Sequence, residues 1–290
     1  MENIWCRWNI RVNDTSVSQQ LYNSSTHFLL ELLQNADDNQ YGGVAPDFSI
    51  TYKPGHLRID CNEVGFTDRN VEAICAIGGS TKSGSDDFIG EKGIGFKSVF
   101  RVADAVWISS REYNFKLDIR EDGELGMITP RWDAFPGPIR PGYTSLHLRL
   151  SEDCNETDLM EGIISLSPTL LIFLRRLRHI HLRLTFKDGS QKSEHLSRDE
   201  GKHAGLSTII VKQKKATAEY MTRRHDVLNM PLETKRPHIC HSELILAFDI
   251  SNSGRAPLQT IHKVYAFLPI REHGFKVIPP LPYSKYANKL

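Results

Sequence analysis

The sequence predicts an α/β (α+β) two-layer sandwich, in which helices cover one face of a mixed, mainly antiparallel sheet. A helical apolar pattern ends near Asp38, strand-like alternation follows in hairpin order, and the composition is that of a globular chain. Of the 290 residues, 40% are hydrophobic and 24% are charged, which allows a sizeable core. We expect an N-terminal arm over 1–20, a main domain over 21–155 and a smaller α+β region over 156–290.

Composition restricts the classes of function. The net charge is +1, so it gives no general electrostatic attraction to nucleic acid or to an anionic membrane. The five cysteines are odd in number and contain no Cys-x-x-Cys pair, which is typical of reduced thiols in an intracellular protein. The N-terminus lacks the apolar segment of a signal peptide, and the apolar run over 170–174 is too short to span a membrane. We therefore expect an intracellular location, in the cytoplasm or the nucleus.

The opening helix carries the first candidate site. Each residue advances an α-helix by roughly 100°, so Glu31, Asn35 and Asp38 fall on one narrow stripe and the leucines face the other side. Ionised groups beside a buried helix are costly unless they meet a partner. A hydrated cation with a polyphosphate would suit this stripe, since a carboxylate can take a proton from water and an amide oxygen can ligate Mg²⁺. An amphipathic helix with a solvated acidic end explains the same pattern, and the helix alone favours that interpretation.

A hairpin and a glycine turn follow the helix. Residues 48–52 alternate like a strand, and residues 57–60 are the expected partner across a Pro-Gly turn. The chain then runs through acidic and amide residues to Gly65. Such a strand end lets a carboxylate face a nucleobase while the backbone approaches closely.

Two segments that suit phosphate binding come next. A helix is expected over 70–77 with Asp68 as its cap, and the long polar stretch over 78–87 suits a mobile lid. Glycines then precede an apolar helical pattern over 90–100, and such a loop presents free N–H groups to an anion. The spacing is neither that of the P-loop nor that of the dinucleotide fingerprint, so on its own this loop is more often an ordinary turn.

The remainder of the chain supplies most of the strands. Proline and glycine are frequent before the third of these strands, and an acidic linker is expected over 152–158. The strand patterns lie at 105–108, 115–119, 144–150, 179–186, 207–212, 243–250 and 262–268, with a helix near 168–178.

Four motifs follow one another in a fixed order: Glu31-Leu-Leu-Gln-Asn-Ala-Asp-Asp38, Val64-Gly-Phe-Thr67, Gly90-Glu-Lys-Gly-Ile-Gly-Phe96 and Gly142-Tyr-Thr-Ser-Leu146. Together they resemble the gyrase/histidine-kinase/MutL (GHKL) ATPase superfamily. The resemblance is to its heat-shock-chaperone branch and, more closely, to the large eukaryotic proteins related to sacsin and plant NO VEIN. It is dense over residues 20–150 and implies the GHKL (Bergerat) ATP-binding fold.

The resemblance implies a role for each motif residue. Glu31 corresponds to the general base that activates water, Asn35 to the Mg²⁺ ligand, and Asp38 to the ribose or phosphate side of the site. Thr144 corresponds to a residue that supports the adenine subsite. The further nucleotide contacts that the resemblance implies are Gly65 in the turn, Ser80, Thr81 and Lys82 in the lid, and Gly90, Gly93, Ile94, Gly95, Phe96 and Lys97 around the phosphates.

The second motif departs from the superfamily pattern Asp-x-Gly-x-Gly. Asp60 precedes Gly65 by five residues rather than four, and Glu63 stands in the place of the first glycine. Either a one-residue bulge keeps Asp60 on the adenine amino group, or Asn62 takes that role. The sequence slightly favours Asp60, because a carboxylate forms the stronger hydrogen bond.

The sequence therefore predicts an ATP- and Mg²⁺-dependent, slowly hydrolysing domain that is chaperone-like or acts as a conformational switch, with a lid that closes over the nucleotide. The alternative is a nucleotide-binding interaction module with little or no hydrolysis. A histidine-kinase catalytic domain is disfavoured because no phosphoacceptor helix pair precedes residue 20. Since members of this group continue into larger polypeptides, we expect protein clients or partner segments supplied by a longer homologue, and a dimer is compatible with that.

Overall fold

The computed structural model describes residues 27–76, 95–201, 207–214, 216–228, 241–250, 261–266 and 268–276. Within these ranges the predicted fold class is confirmed, because a large, mostly antiparallel open sheet packs against helices. Of the helices in this part of the chain, none has the length and apolar character that crossing a membrane requires.

Helices and strands alternate irregularly along the chain. The helices are α1 (His27–Asp38), α2 (Asp68–Cys75), α3 (Ile119–Asp122), α4 (Glu156–Ile164) and α5 (Leu170–Phe173), with 3₁₀ turns at Phe96–Arg101 and Gly123–Met127. The strands are β1 (Asp47–Lys53), β2 (His56–Cys61), β3 (Ala103–Ser110), β4 (Tyr113–Asp118), β5 (Arg131–Trp132), β6 (Thr144–Leu150), β7 (His179–Thr185), β8 (Gln191–Glu200), β9 (Thr208–Gln213), β10 (Ala216–Leu228), β11 (His241–Asp249), β12 (Ile261–Ala266) and β13 (Leu268–Lys276).

Eleven of the described strands form one sheet in the order β11-β10-β9-β8-β7-β1-β2-β6-β3-β4-β5, and β12 pairs with β13 separately. The pair β1 and β7 is parallel, with Phe48 beside Ile180 and Tyr52 beside Leu184. The other neighbouring pairs in this sheet are antiparallel. The sheet thus continues across the expected domain boundary between residues 155 and 156.

The two faces of the sheet differ in character. Side chains alternate between faces along a strand, and Leu57 and Ile59 of β2 lie in the core cluster that includes Phe28 of α1. The alternate residues Arg58 and Asp60 are directed to the opposite side, where they pair with each other. We call these sides the helix face and the polar face.

Asp37 ties the end of α1 to the segment that precedes β7. Its side chain is buried, with 1% of the residue exposed. Oδ1 accepts the backbone N–H groups of Arg176 and Leu177 at 2.7 and 2.8 Å, and Oδ2 accepts that of Arg175 at 2.7 Å. One carboxylate therefore fastens the helix that carries the candidate site to the strand that pairs with β1.

Three local predictions are wrong. The helix expected near 168–178 ends at Phe173, because the N–H groups that would extend it donate to a carboxylate instead. The N-cap of α2 is Thr67, and Asp68 is its first helical residue. The apolar pattern after the glycine loop forms a 3₁₀ turn over Phe96–Arg101 rather than an α-helix.

Candidate functional site

Gly95 lies directly against the polar stripe of α1. A Cβ atom at this position would lie 2.7 Å from Oε2 of Glu31 and 3.9 Å from Nδ2 of Asn35. The carboxylate and the glycine backbone can be this close only because glycine has no side chain. The structure therefore brings together Glu31, Asn35 and Gly95, although the first and third motifs are far apart in the sequence.

The Glu31 carboxylate belongs to a buried helix and is itself accessible. Its side chain is 27% exposed, whereas the neighbouring Leu32 and Leu33 are buried in the core. One turn earlier, Nε2 of His27 lies 3.8 Å from Oε1 of Glu31. A fixed helix position combined with access to solvent is what a group that acts on water requires.

The other residues of the first and third motifs are placed as follows. Asp38 is buried at the end of the stripe, and its carbonyl oxygen accepts Nη1 of Arg176 at 2.8 Å. Phe96 is half-buried and packs against the core cluster. Lys97 donates its Nζ to the carbonyl oxygen of Ala76 at the end of α2, and burial lowers the pKa of this lysine. The ammonium group thus stabilises the C-terminus of a helix in the structure.

Several predicted contacts cannot be placed. They are Ser80, Thr81, Lys82, Gly90, Gly93 and Ile94, all of which lie outside the described residues. The candidate site is therefore built from α1, from Gly95 and from the ends of β2 and β6.

Asp60, the favoured adenine contact, lies on the polar face. Its carboxylate accepts Nε and Nη2 of Arg58 at 2.9 and 2.8 Å and the hydroxyl of Ser145 at 2.5 Å. Since α1 packs on the other side of the sheet, the structure does not bring Asp60 to Glu31 and Asn35.

The side chain of Asn62, the alternative adenine contact, is hydrogen-bonded to two backbone groups. Its Oδ1 accepts the N–H of Asp47 at 2.7 Å, and its Nδ2 donates to the carbonyl of Ala45 at 2.8 Å. The side chain thus fastens the end of β2 to the segment that enters β1.

Glu63, which the sequence analysis did not select, reaches the helix face. Only 8% of the residue is exposed, and its Oε1 accepts the hydroxyl of Thr144. Thr144 is the register partner of Cys61, which belongs to the core cluster beneath α1. The sequence contained a signal that could have singled out Glu63, because this acidic residue stands where the family pattern has its first glycine.

The hydrogen bonds that lead to Glu63 have a defined direction. The N–H of Phe66 donates to Oγ of Ser110 at 2.8 Å, and this oxygen lies 2.6 Å from Oγ1 of Thr144. A hydroxyl has one proton, and Thr144 gives its proton to Glu63. Ser110 must then donate to Thr144. We call Ser110 and Thr144 the hydroxyl relay; it makes Glu63 the final acceptor.

Tyr41 connects the end of β2 to the last turn of α1. Its hydroxyl donates to the carbonyl of Ala36 at 2.6 Å and lies 3.2 Å from Sγ of Cys61. Burial raises the pKa of Cys61 to about 12 and also raises the pKa of Tyr41, to which the charge of Glu63 contributes. Both groups therefore stay neutral at physiological pH.

We expect Gly65→Ala to lower the free energy of unfolding by about 2 kcal/mol. Gly65 has φ +89°, and an added Cβ would lie 2.6 Å from Cγ of Arg111. Chemical denaturation measures the loss. Gly189→Ala is the matched control, because its φ is +81° and nothing lies within 4 Å of the added Cβ. Equal losses in the two variants would show that contact with Arg111 contributes nothing.

The fold and site define an α+β sandwich domain in which the carboxylate and the amide of α1 lie beside Gly95. No protein-family model matches the chain. The chain is 33% identical over 285 residues to Protein NO VEIN of Arabidopsis thaliana, which covers 90% of this chain and 10% of that protein. It is 29% identical over 212 residues to Chaperone protein HtpG of Paramagnetospirillum magneticum, which covers 61% of this chain and 32% of HtpG.

These similarities support the motif resemblance in coarse form. The likeness to NO VEIN runs along nearly the whole of this chain, and one relative is named as a chaperone. The chain spans about a tenth of NO VEIN and about a third of HtpG. The similarity therefore concerns one portion of each relative.

Proposed function

We propose that this chain binds Mg²⁺-ATP beside α1 and hydrolyses it slowly, as a chaperone-like conformational switch. The observation that carries the proposal is the approach of Gly95 to Glu31 and Asn35. A glycine loop offers backbone N–H groups to phosphate oxygens, and an acidic helix edge offers a base and a metal ligand. The lid predicted over 78–87 lies outside the described residues, so the proposal is argued from α1 and Gly95.

The residues at the site fit a magnesium ion that is shared with a nucleotide. Mg²⁺ in such sites is held by one or two protein oxygens, with water and phosphate oxygens as its other ligands. Asn35 would provide the amide oxygen, and Gly95 lies close to this side chain. When bound, the ion supplies neutralisation of phosphate charge.

Residues of the chain itself activate water, position phosphate and hold α1 in place. Glu31 orients a water molecule and accepts its proton, for which its accessible carboxylate on a rigid helix is suited. The backbone at Gly95 positions phosphate next to that carboxylate. Asp37 holds the end of α1 in place through three backbone N–H groups, which fixes the orientation of the acidic stripe.

The test is to purify the chain and to measure ATP binding by calorimetry and phosphate release by a coupled assay. We expect removal of Mg²⁺ with a chelator to weaken ATP binding by about tenfold or more, since the metal neutralises phosphate charge. Slow release of phosphate that requires Mg²⁺ supports the switch. Binding without release supports the alternative, a nucleotide-binding interaction module. Failure to bind ATP at millimolar concentration contradicts both.

A further inference from the structure

We propose that acid releases the segment over 133–143 from the polar face of the sheet, because this segment closes only over a neutral His147. The segment joins β5 to β6, and we call it the strap. Such a pH-sensitive release goes beyond the proposed function and does not require bound nucleotide. Its basis is the set of side chains that surround the His147 ring on the face opposite α1.

A buried phenylalanine fastens the strap to the polar face. Phe135 is only 8% exposed, although Gly137 two residues further on is exposed. The Phe135 ring meets the His147 ring edge to face, with centroids 6.2 Å apart, and the Arg58 guanidinium lies over Phe135 at 5.2 Å. Nη1 of Arg58 also donates to the carbonyl oxygen of Pro138 at 2.8 Å. The closed strap therefore covers His147 and Arg58, which are register partners on β6 and β2.

The strands around His147 supply positive charge. Nε2 of His147 lies 3.3 Å from Nδ1 of His56 on β2, and a hydrogen bond between these nitrogens requires that at least one ring is neutral. Arg58 of β2 and Lys53 of β1 add positive charge. On β3, the Trp107 ring centroid lies 5.8 Å from that of His147. Burial, followed by His56, Arg58 and Lys53, lowers the pKa of His147 to about 4.

The groups that could stabilise a protonated His147 are already engaged. Both aromatic neighbours carry cations, since Arg58 lies over Phe135 and Lys116 and Arg149 lie 5.7 and 5.8 Å from the Trp107 centroid. A further cation therefore gains little from these rings. Four carboxylates in this part of the polar face are bonded to other side chains: Asp60 to Arg58, Asp104 and Asp118 to Arg149, and Asp133 of the strap to Trp107.

Opening of the strap removes the conflict around His147. Once Phe135 leaves, water reaches the imidazole and solvates its charge. The open form then binds a proton more readily than the closed form, so opening is favoured as the pH falls from 6.5, the ordinary pKa of histidine, toward about 4. Above about pH 6.5 His147 is neutral in both forms, and the strap has its full stability.

The other end of the strap is held in a way that mild acid does not weaken. Tyr143 donates its hydroxyl to Oδ2 of Asp47 at 2.9 Å, and Nε2 of His181 lies 3.0 Å from Oδ1 of the same carboxylate. A proton on His181 places a cation beside Asp47, which is favourable. We therefore expect the strap to open from its Phe135 end and to stay attached at Tyr143.

The size of the acid response follows from linkage. A complete return of the His147 pKa from about 4 to 6.5 would favour opening by about 30-fold at about pH 5. Water already reaches part of this ring and the cations on the strands stay in place, so we expect about tenfold.

The experiment measures how well the strap protects a thiol placed beneath it. Ser145→Cys introduces a thiol next to Arg58, at a fully buried position of the polar face. Its rate of reaction with 4,4′-dithiodipyridine, followed by mass spectrometry and divided by the rate in the unfolded chain at the same pH, gives the opening equilibrium constant. We expect this constant to rise by about tenfold between about pH 7.5 and pH 5. Cys61 is the reference in the same molecule, since it is buried in the core on the helix face, and its protection should not change.

Three variants and a control connect the response to His147 and the strap. His147→Phe removes the titrating group but keeps a ring beside Phe135, so the response to acid should disappear. His147→Gln removes the same group without a ring and should behave alike. Phe135→Ala should leave the thiol accessible already at about pH 7.5. His225→Gln is the matched control, because His225 is an exposed residue of β10, and it should keep the tenfold response.

Two outcomes overturn the proposal. One is an unchanged response to acid in folded His147→Phe or His147→Gln. The other is an equal rise in reactivity at the Ser145→Cys thiol and at Cys61, which would mean that acid loosens the whole domain. If both His147 variants fold poorly, Phe135→Ala decides, because a thiol that stays protected in that variant is not covered by the strap.

Discussion

Glu31→Ala is expected to lower the rate of ATP hydrolysis by about 100-fold or more, while ATP affinity changes little. A positioned general base contributes about 10²- to 10⁴-fold to the rate of proton transfer. The carboxylate lies beside Gly95 and is accessible to water, so its removal deletes the base and leaves the glycine backbone and Asn35 in place. Phosphate release at saturating ATP measures turnover, and calorimetry measures affinity.

Glu161→Ala is the matched control for this substitution. Glu161 is an exposed residue of α4, a helix that does not carry the candidate site, so its replacement should leave turnover at the parent rate. Unchanged phosphate release in Glu31→Ala would assign the hydrolysis to another base or to a contaminant. Loss of binding together with turnover would show that Glu31 acts in binding rather than as a base.

Asp37→Ala is expected to lower the free energy of unfolding by about 4 kcal/mol. The substitution removes the acceptor of three backbone N–H groups, those of Arg175, Arg176 and Leu177. The site is buried, so solvent does not readily replace the carboxylate. Equilibrium denaturation in urea, with the slope and midpoint both fitted, measures the loss.

Asp37→Asn should lie between the parent and the alanine variant. The amide oxygen can still accept the two N–H groups bound by Oδ1, but its nitrogen would face the N–H of Arg175. Asp153→Ala is the control for the same change at an exposed position. A loss in Asp37→Ala that is no larger than in Asp153→Ala would mean that this carboxylate does not hold the two segments together.

Local elements could be predicted from the sequence because their signals are local. The leucine spacing in α1, the Pro-Gly turn between β1 and β2, and the alternation in β6 each lie within a few residues, and the structure confirms all three elements. The spacing of Glu31 and Asn35 on one stripe depends on the same helical geometry. That they meet Gly95 followed only from the resemblance, since no local pattern relates the two motifs.

Non-local pairing could not be predicted. No local pattern in residues 47–53 indicates that β1 pairs in parallel with residues 179–185. Likewise, no local pattern indicates that Asp37 accepts hydrogen bonds from three backbone N–H groups after α5. The assignment of Asp60 had a local signal against it. Leu57 and Ile59 are apolar and alternate with Asp60, which indicates that Asp60 faces the other side of the sheet; the spacing of Asp60 from Gly65 also departs from the family pattern.

The parallel pairing of β1 with β7 has a consequence for how the molecule matures on the ribosome. β1 ends at Lys53 and β7 ends at Thr185, so β1 acquires this neighbour only after 185 − 53 = 132 further residues have been made. Contacts between such distant segments slow folding, and an incomplete sheet exposes backbone that can pair with other nascent chains. The incomplete chain therefore passes through an interval in which one edge of β1 is open, and the sheet beneath the candidate site is completed only by residues outside that site.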